Sequence, residues 1–429
     1  MTDEQIDELG PAFSAYLRRF RPCFLQDRTA AHFDTFCRAL LSPLSRKSVE
    51  PAALDGGTPA RTLQMFLSDA VWDHGLARAT LQRHVASLLP NLPPAGHLGN
   101  VGVIDETSCR KKGDKTPGVQ RQYLGCVGKV DNGIVTVHVG VSRGRFQALL
   151  DSDLFLPKSW DEDRERCREA GIPDDVRYRP KWRIAFDQLI RLAGNGVHFD
   201  WLTFDEGYGS KVPFLLLLDA AGRRFVGEVP VSFSVRLGDD PKARRADAVL
   251  GRAAAVAGRR WRQRRESVAD AWWRWASTPV RVRGQEWLLV AAINEATGEL
   301  KYFITNAVDQ PVARVLEVAF RRATVEHGFR LAKTEAGQTH YEGRKYVGLM
   351  RHLIMVLVVM GFVCIHADGL RGGKSGPDAG AGVPGAECPV RGGVDAEARD
   401  GGVGARGLRD TLPPTPIRPV QGLPQTAAA

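Results

Sequence analysis

The run LIMVLVVMGFVCIHA at residues 353–367 limits the fold most. A helix apolar all round must be covered all round. The run is shorter than the roughly 20 residues that span a bilayer, so it is read as a buried helix of a soluble, cytoplasmic protein without membrane association. With 429 residues the chain is long enough for two or three domains and a large core around that helix. Lys and Arg number 59 against 49 Asp and Glu, a net charge of +10 that favours an anionic partner, nucleic acid foremost. The seven cysteines contain no C-x-x-C pair, which points to a reducing compartment and away from a disulfide framework or zinc ribbon. The acidic start MTDEQIDELGP has no apolar core of the signal-peptide kind.

Residues 1–95 carry apolar positions at spacings of three and four, as in RTLQMFLSDAVWDHGLARATLQRHVASLL, and predict helices. PNLPPAGHLGN then punctuates the chain, and a domain boundary is placed there. VGVID predicts a short strand ending in Asp105. QYLGCVGKV and IVTVHVGVS predict a hairpin turning at Asp131-Asn132-Gly133. PKWRIAFDQLIRLAGNG predicts a helix with a glycine stop, and HFDWLTFD a strand ending in Asp205. VPFLLLLDAAG reads as a helix, RRFVGEVPV as a strand, and EWLLVAAINEATGELKYFITNA as a second hairpin. Helical patterns start near Val312 and Val347. From Gly369 onward 22 of 61 residues are Gly or Pro and none is aromatic, so 369–429 is expected to be a disordered tail.

Two strands thus end in aspartates, and ligands of α/β sheets collect at the carboxyl ends of strands. The order strand, hairpin, helix, strand suits a ribonuclease-H-like mixed sheet. A third acid, Glu326, lies in the helical stretch RRATVEHGFRLAKTEAG. At about 100° per residue, Arg322, Arg330 and Lys333 share its stripe. Taken singly, each Asp has an ordinary role as a turn or cap residue, and Glu326 as a surface ion-pair partner worth a few tenths of a kcal/mol. Taken together, three carboxylates suit a pair of divalent cations, Mg²⁺ or Mn²⁺, in phosphodiester chemistry.

VGVIDETSCRKKG, LTFDEGYG and RRATVEHGFRLAKTEAGQTHYEGRKYVGLMRH resemble the DDE transposases of bacterial insertion sequences, closest to the type 701 group. LSRKSVEPAA and LPKSW fit the same group. That group belongs to a larger set marked by a Tyr-Arg-Glu-Lys signature. Arg322, Glu326 and Lys333 match the signature's spacing. Its tyrosine would fall at Ala319, with Phe320 beside it. The resemblance covers residues 15–365. It implies a catalytic triad and metal-ligand set of Asp105, Asp205 and Glu326, holding two Mg²⁺ or Mn²⁺ ions. Arg322 and Lys333 would face DNA phosphates, and Arg330 on the same stripe would join them. The implied architecture is a helical DNA-binding domain at 1–95, then a ribonuclease-H-like catalytic domain at 96–368 with a β-rich insertion at about 225–310. The implied activity is binding of terminal inverted repeats, metal-dependent cleavage and strand transfer. The partners would be double-stranded DNA and further copies of the chain in a synaptic complex, within the bacterial cytoplasm at the nucleoid. Two rivals are a decayed or domesticated transposase that binds DNA without catalysis, and a simple ribonuclease-H-like nuclease.

Other features weigh less. Glu106 and Glu206 follow the two aspartates and should face the other way along an extended chain. RGGKS at 371–375 lacks the first glycine of a phosphate loop, since Asp368 stands there. Cys364 with His366 is too few for a metal site. The tryptophans between 272 and 287 read as core before they read as platforms for an unpaired base. GRRWRQRR, from Gly258, fits a DNA-tracking strip and a solvated face equally.

Overall fold

The computed structural model describes residues 3–94, 97–256, 259–263 and 270–370. Five helices come first: α1 (Asp3–Leu17), α2 (Asp27–Leu41), α3 (Val49–Asp55), α4 (Ala60–Ser68) and α5 (His74–Leu88). Strands β1 (Val101–Arg110), β2 (Gln120–Leu124), β3 (Lys129–Arg143) and β4 (Phe146–Leu154) follow. Helices α6 (Lys158–Asp161), α7 (Arg164–Glu169) and α8 (Lys181–Gly194) lead to β5 (Trp201–Phe204). Then come α9 (Glu206–Gly209), α10 (Val212–Ala220) and β6 (Phe225–Val229). Short β7 (Ser234–Val235) and β8 (Arg244–Arg245) precede α11 (Ala246–Val256), β9 (Arg260–Gln263), β10 (Ala271–Val282), β11 (Gln285–Asn294) and β12 (Leu300–Thr305). Helices α12 (Val312–Phe320), α13 (Arg322–Thr334) and α14 (Tyr346–Leu370) end the described chain.

The fold is mixed α/β and ribonuclease-H-like. Its central sheet runs β4-β3-β1-β5-β6, with β3 antiparallel to β1 and β4, and β1, β5 and β6 mutually parallel. A parallel neighbour needs a long crossover; α8 lies in the one before β5 and α10 in the one before β6. Strand β12 then pairs antiparallel with β6 and carries β11, β10 and β9 outward, so the sheet continues without a break.

The apolar run lies in α14, where every residue from Gly348 to Phe362 is buried. The helix is long and apolar enough to cross a membrane, but its cover here is protein: β4, α1, α2, α4 and α5. Tyr16 donates its hydroxyl to the Val358 carbonyl at 2.9 Å. Arg351 gives its guanidinium to the carbonyls of Phe66, Leu67, Ala70 and Trp72 where α4 ends. The N-terminal helices and the sheet therefore share one core.

The same core carries a buried charge network. Asp151 of β4 is fully buried, and Arg191 of α8 meets it at 2.8 and 2.9 Å while reaching Asp153 at 2.6 Å. Gln82 of α5 donates to Asp151 at 2.9 Å and to the Leu150 carbonyl at 3.0 Å. Burial pushes the Asp151 carboxyl above the usual carboxylate range, and Arg191 opposes that push. Strand, crossover helix and N-terminal helix are thus tied by one set of polar contacts.

The structure corrects four readings of the sequence. Strand β1 does not end at Asp105 but runs on to Arg110, because β3 supplies partners along its whole length. The hairpin between β2 and β3 turns at Gly125–Gly128, not at Asp131–Gly133. Gly133 lies inside β3 for another reason: a Cβ there would stand 2.5 Å from the Cys109 carbonyl oxygen. Strand β4 was not anticipated; its two aspartates break the strand pattern, and Arg191 accounts for them. The helix from Val312 also splits at Arg321 into α12 and α13. The expected disordered tail lies outside the described residues from 371 on, with Gly369 and Leu370 closing α14.

His352 offers a test of the shared core. Its ring is buried against the Gly337 carbonyl at 3.0 Å, and burial holds its pKa down at about 4. The unfolded chain takes up a proton below about pH 6.5 while the native ring stays neutral. Stability from this residue is therefore complete above that pH and lost as pH falls, by about 2 kcal/mol at pH 5. Urea unfolding of wild type and His352→Gln at pH 7 and pH 5 should show a smaller pH loss in the variant.

Candidate active site

The parallel register builds the site. Ile104 of β1 pairs with Phe204 of β5, and Phe204 pairs with Gly227 of β6. The next residue on each chain, Asp105, Asp205 and Glu228, therefore stands at one level on adjacent chains about 4.8 Å apart. Asp105 is 8% exposed and accepts the Glu106 amide at 2.7 Å. Asp205 directly follows β5 and caps α9, its Oδ1 accepting the Tyr208 amide at 3.3 Å. The ordinary cap role and a place in the acidic row hold together, since the cap occupies one carboxylate oxygen.

Alternation along β1 separates its two acids. Glu106 pairs with Lys181 of α8 at 2.7 Å, while Asp105 meets Arg322, the first residue of α13, at 3.5 Å on the other face. Glu206 is exposed on α9. Arg322 also lies 3.9 Å from Glu228, which in turn holds Lys301 at 2.8 Å. Glu228 escapes a reading of the sequence, where an acid in a strand looks like a solvated edge residue. Only the register reveals its level.

Helix α13 is seated on the sheet beside Asp105. His138, opposite Asp105 in the β1–β3 ladder, is buried with its ring 4.9 Å from that of Phe329. Its ring nitrogen lies 2.7 Å from the Thr136 hydroxyl and 3.3 Å from the Gln338 amide. Burial first, and Lys333 second, push its pKa down to about 3, so the ring is neutral. Lys333 is half-buried and its charge also acts on Cys109; Arg330 is exposed. Eleven residues of helix separate Arg322 from Lys333, about 16 Å. The helix thus runs from Asp105 towards the far end of β1. Glu326 belongs to α13; its side chain lies outside the described residues.

At the signature's tyrosine position, Ala319 is buried. Its neighbour Phe320 packs on Trp261, Trp273 and Phe303, with centroids at 5.4, 4.6 and 5.8 Å. This cluster fixes the end of α12 to the β9–β12 extension. Trp273 and Trp287 are core residues, whereas Trp272 is 41% exposed under Arg260 at 4.6 Å. In the basic run, Arg260–Gln263 form edge strand β9, and Gly258, Arg264 and Arg265 lie outside the described residues. His366 hydrogen-bonds the Phe362 carbonyl at 2.9 Å, an ordinary contact within a helix.

Asp105 and Asp205 are oxygen donors on one level, with a guanidinium beside the first. Hard divalent cations take such donors, and Arg322 stands there as a built-in positive charge. The donor chemistry fits a divalent metal.

Packing holds α9, and with it Asp205, against β6. A Cβ at Gly209 would lie 1.9 Å from the Glu228 carbonyl oxygen. Gly209→Ala should push α9 off β6 and cost roughly 1–3 kcal/mol by overpacking. Thermal melting reads the loss; an unchanged melting temperature would mean that α9 is not held so closely.

A family described as DDE superfamily endonuclease matches residues 19–287. The match contains Asp105 and Asp205 and ends before α13. The chain is also 32% identical over 214 residues to a protein of Microchaete diplosiphon described as "Probable transposase for insertion sequence element IS701". That similarity covers 49% of this chain and 52% of the relative, so the chain spans about half the length of the curated relative it matches.

Proposed function

The chain belongs to the DDE superfamily of endonucleases, and from that premise we propose that it is a DNA transposase of an insertion sequence. The observation that carries the reading is the shared level of Asp105 and Asp205 on parallel chains, with α13 anchored beside Asp105 through Arg322. Residues one hundred positions apart stand level there, as a surface ion-pair ladder would not require.

Asp105, Asp205 and Glu326 would hold two Mg²⁺ or Mn²⁺ ions through oxygen ligands, and the ions would supply activation of an attacking water or 3′-hydroxyl and stabilisation of the leaving oxygen. Each protein group has its own task. β1 and β5 hold two carboxylates at fixed spacing, and the cap on Asp205 limits its rotation. Glu326 lies one helical turn beyond Arg322, on the same stripe of α13. Arg322 offsets negative charge at Asp105 and, with Lys333 and Arg330, draws the phosphate backbone along the helix. The helices before about residue 95 bind the terminal inverted repeats. Two or more copies pair the ends, and cleavage is followed by strand transfer to target DNA.

Cleavage of labelled end DNA in Mg²⁺ or Mn²⁺ tests the reading. Asp105→Asn, Asp205→Asn and Glu326→Gln should each abolish cutting and leave end binding intact. Full cleavage by Asp205→Asn would refute the assignment. In binding titrations across salt, Lys333→Ala should weaken all duplexes alike and flatten the salt slope by about one unit. An unchanged slope with lower melting temperature would make Lys333 a packing residue.

A further inference from the structure

Arg322 stands between two acids that lie two strands apart. Its guanidinium is 3.5 Å from Asp105 on β1 and 3.9 Å from Glu228 on β6. The strand between them, β5, delivers Asp205. Glu228 meanwhile already has a cation of its own, Lys301 at 2.8 Å. An acid satisfied by one lysine and also turned to a second cation suits a group that receives that cation when it moves.

We infer that Glu228 is a positioning residue, which takes Arg322 from Asp105 when a divalent cation arrives at the Asp105–Asp205 site. The inference rests on the proposed metal site. A cation on Asp105 repels the guanidinium beside it, and that repulsion is strong at a partly buried site. Glu228, on the same level of the sheet, gives Arg322 a place to go without leaving the sheet face. Arg322 thus fills part of the acidic row while metal is absent. Glu228 lowers the cost of displacing it. Glu228 touches neither metal nor DNA in this account; it acts through Arg322.

The test measures Mn²⁺ alone, by the electron paramagnetic resonance of the free ion, against the full chain without DNA. Wild type, Glu228→Gln, Arg322→Gln and the double variant are compared, with Asp105→Asn as the site control. Glu228→Gln should weaken Mn²⁺ binding about threefold or more, and Arg322→Gln should tighten it. In the Arg322→Gln background, Glu228→Gln should have at most a small effect. An equal loss in both backgrounds would make Glu228 a direct ligand or a simple charge, and no loss in either would leave only a structural ion pair. Both results overturn the inference. Mn²⁺ binding indifferent to Asp105→Asn would instead refute the metal site itself, and the inference with it. If Glu228→Gln does not fold, Glu228→Gln with Lys301→Met removes the pair together and serves the same comparison, each protein checked by thermal melting without metal.

Discussion

The parallel pairing of β1 with β5 is the constraint from which the rest follows. An antiparallel neighbour would have set Asp105 and Asp205 at opposite ends of the pair. The parallel one sets them level, with Glu228 joining from β6. Such pairing requires a crossover that returns to the sheet, and α8, in that crossover, is tied to β4 by Arg191 on the buried Asp151. Removing a partner from such a pair leaves a buried charge uncompensated, so this contact holds the crossover helix against the sheet that carries the acids.

Much of this was legible in the residues, and the failures share a cause. Helix α8, strand β5 and the β11–β12 hairpin follow from periodicity and turn chemistry, Asp205 stands at the end of its strand as read, and Asp105 was picked out as a strand-end acid although β1 runs on past it. Strand β4 was hidden by Asp151 and Asp153, because a partner forty residues away decides whether a strand tolerates charge. Asp131-Asn132-Gly133 looked like a turn, but Gly133 is there for close strand approach. Glu228 had no local signal at all. In each case a contact distant in the chain, and not the local pattern, decided the outcome.

Helix α14 shows the same dependence over a longer range. Its apolar run announces burial, yet nothing near it in the chain says what covers it. The cover comes from β4 and from helices more than 250 residues earlier, the latter through Tyr16 and the carbonyls that Arg351 collects at the end of α4. A proposed DNA-binding segment and a proposed catalytic sheet therefore meet on one helix. The glutamate proposed for the site comes from the same C-terminal region, since α13, which carries Glu326, lies beyond the span matched by the endonuclease family.

The central claim is that Asp105, Asp205 and Glu326 hold one metal cluster. Iron-directed cleavage of the protein backbone addresses it directly. With Fe²⁺ in place of Mg²⁺ and with ascorbate and peroxide, radicals formed at the bound metal cut the chain nearby. The account predicts cuts close to positions 105, 205 and 326, all suppressed together by excess Mg²⁺ and lost in Asp105→Asn. Cuts near 105 and 205 without one near 326, or a cut near 326 that Mg²⁺ does not suppress, would contradict it.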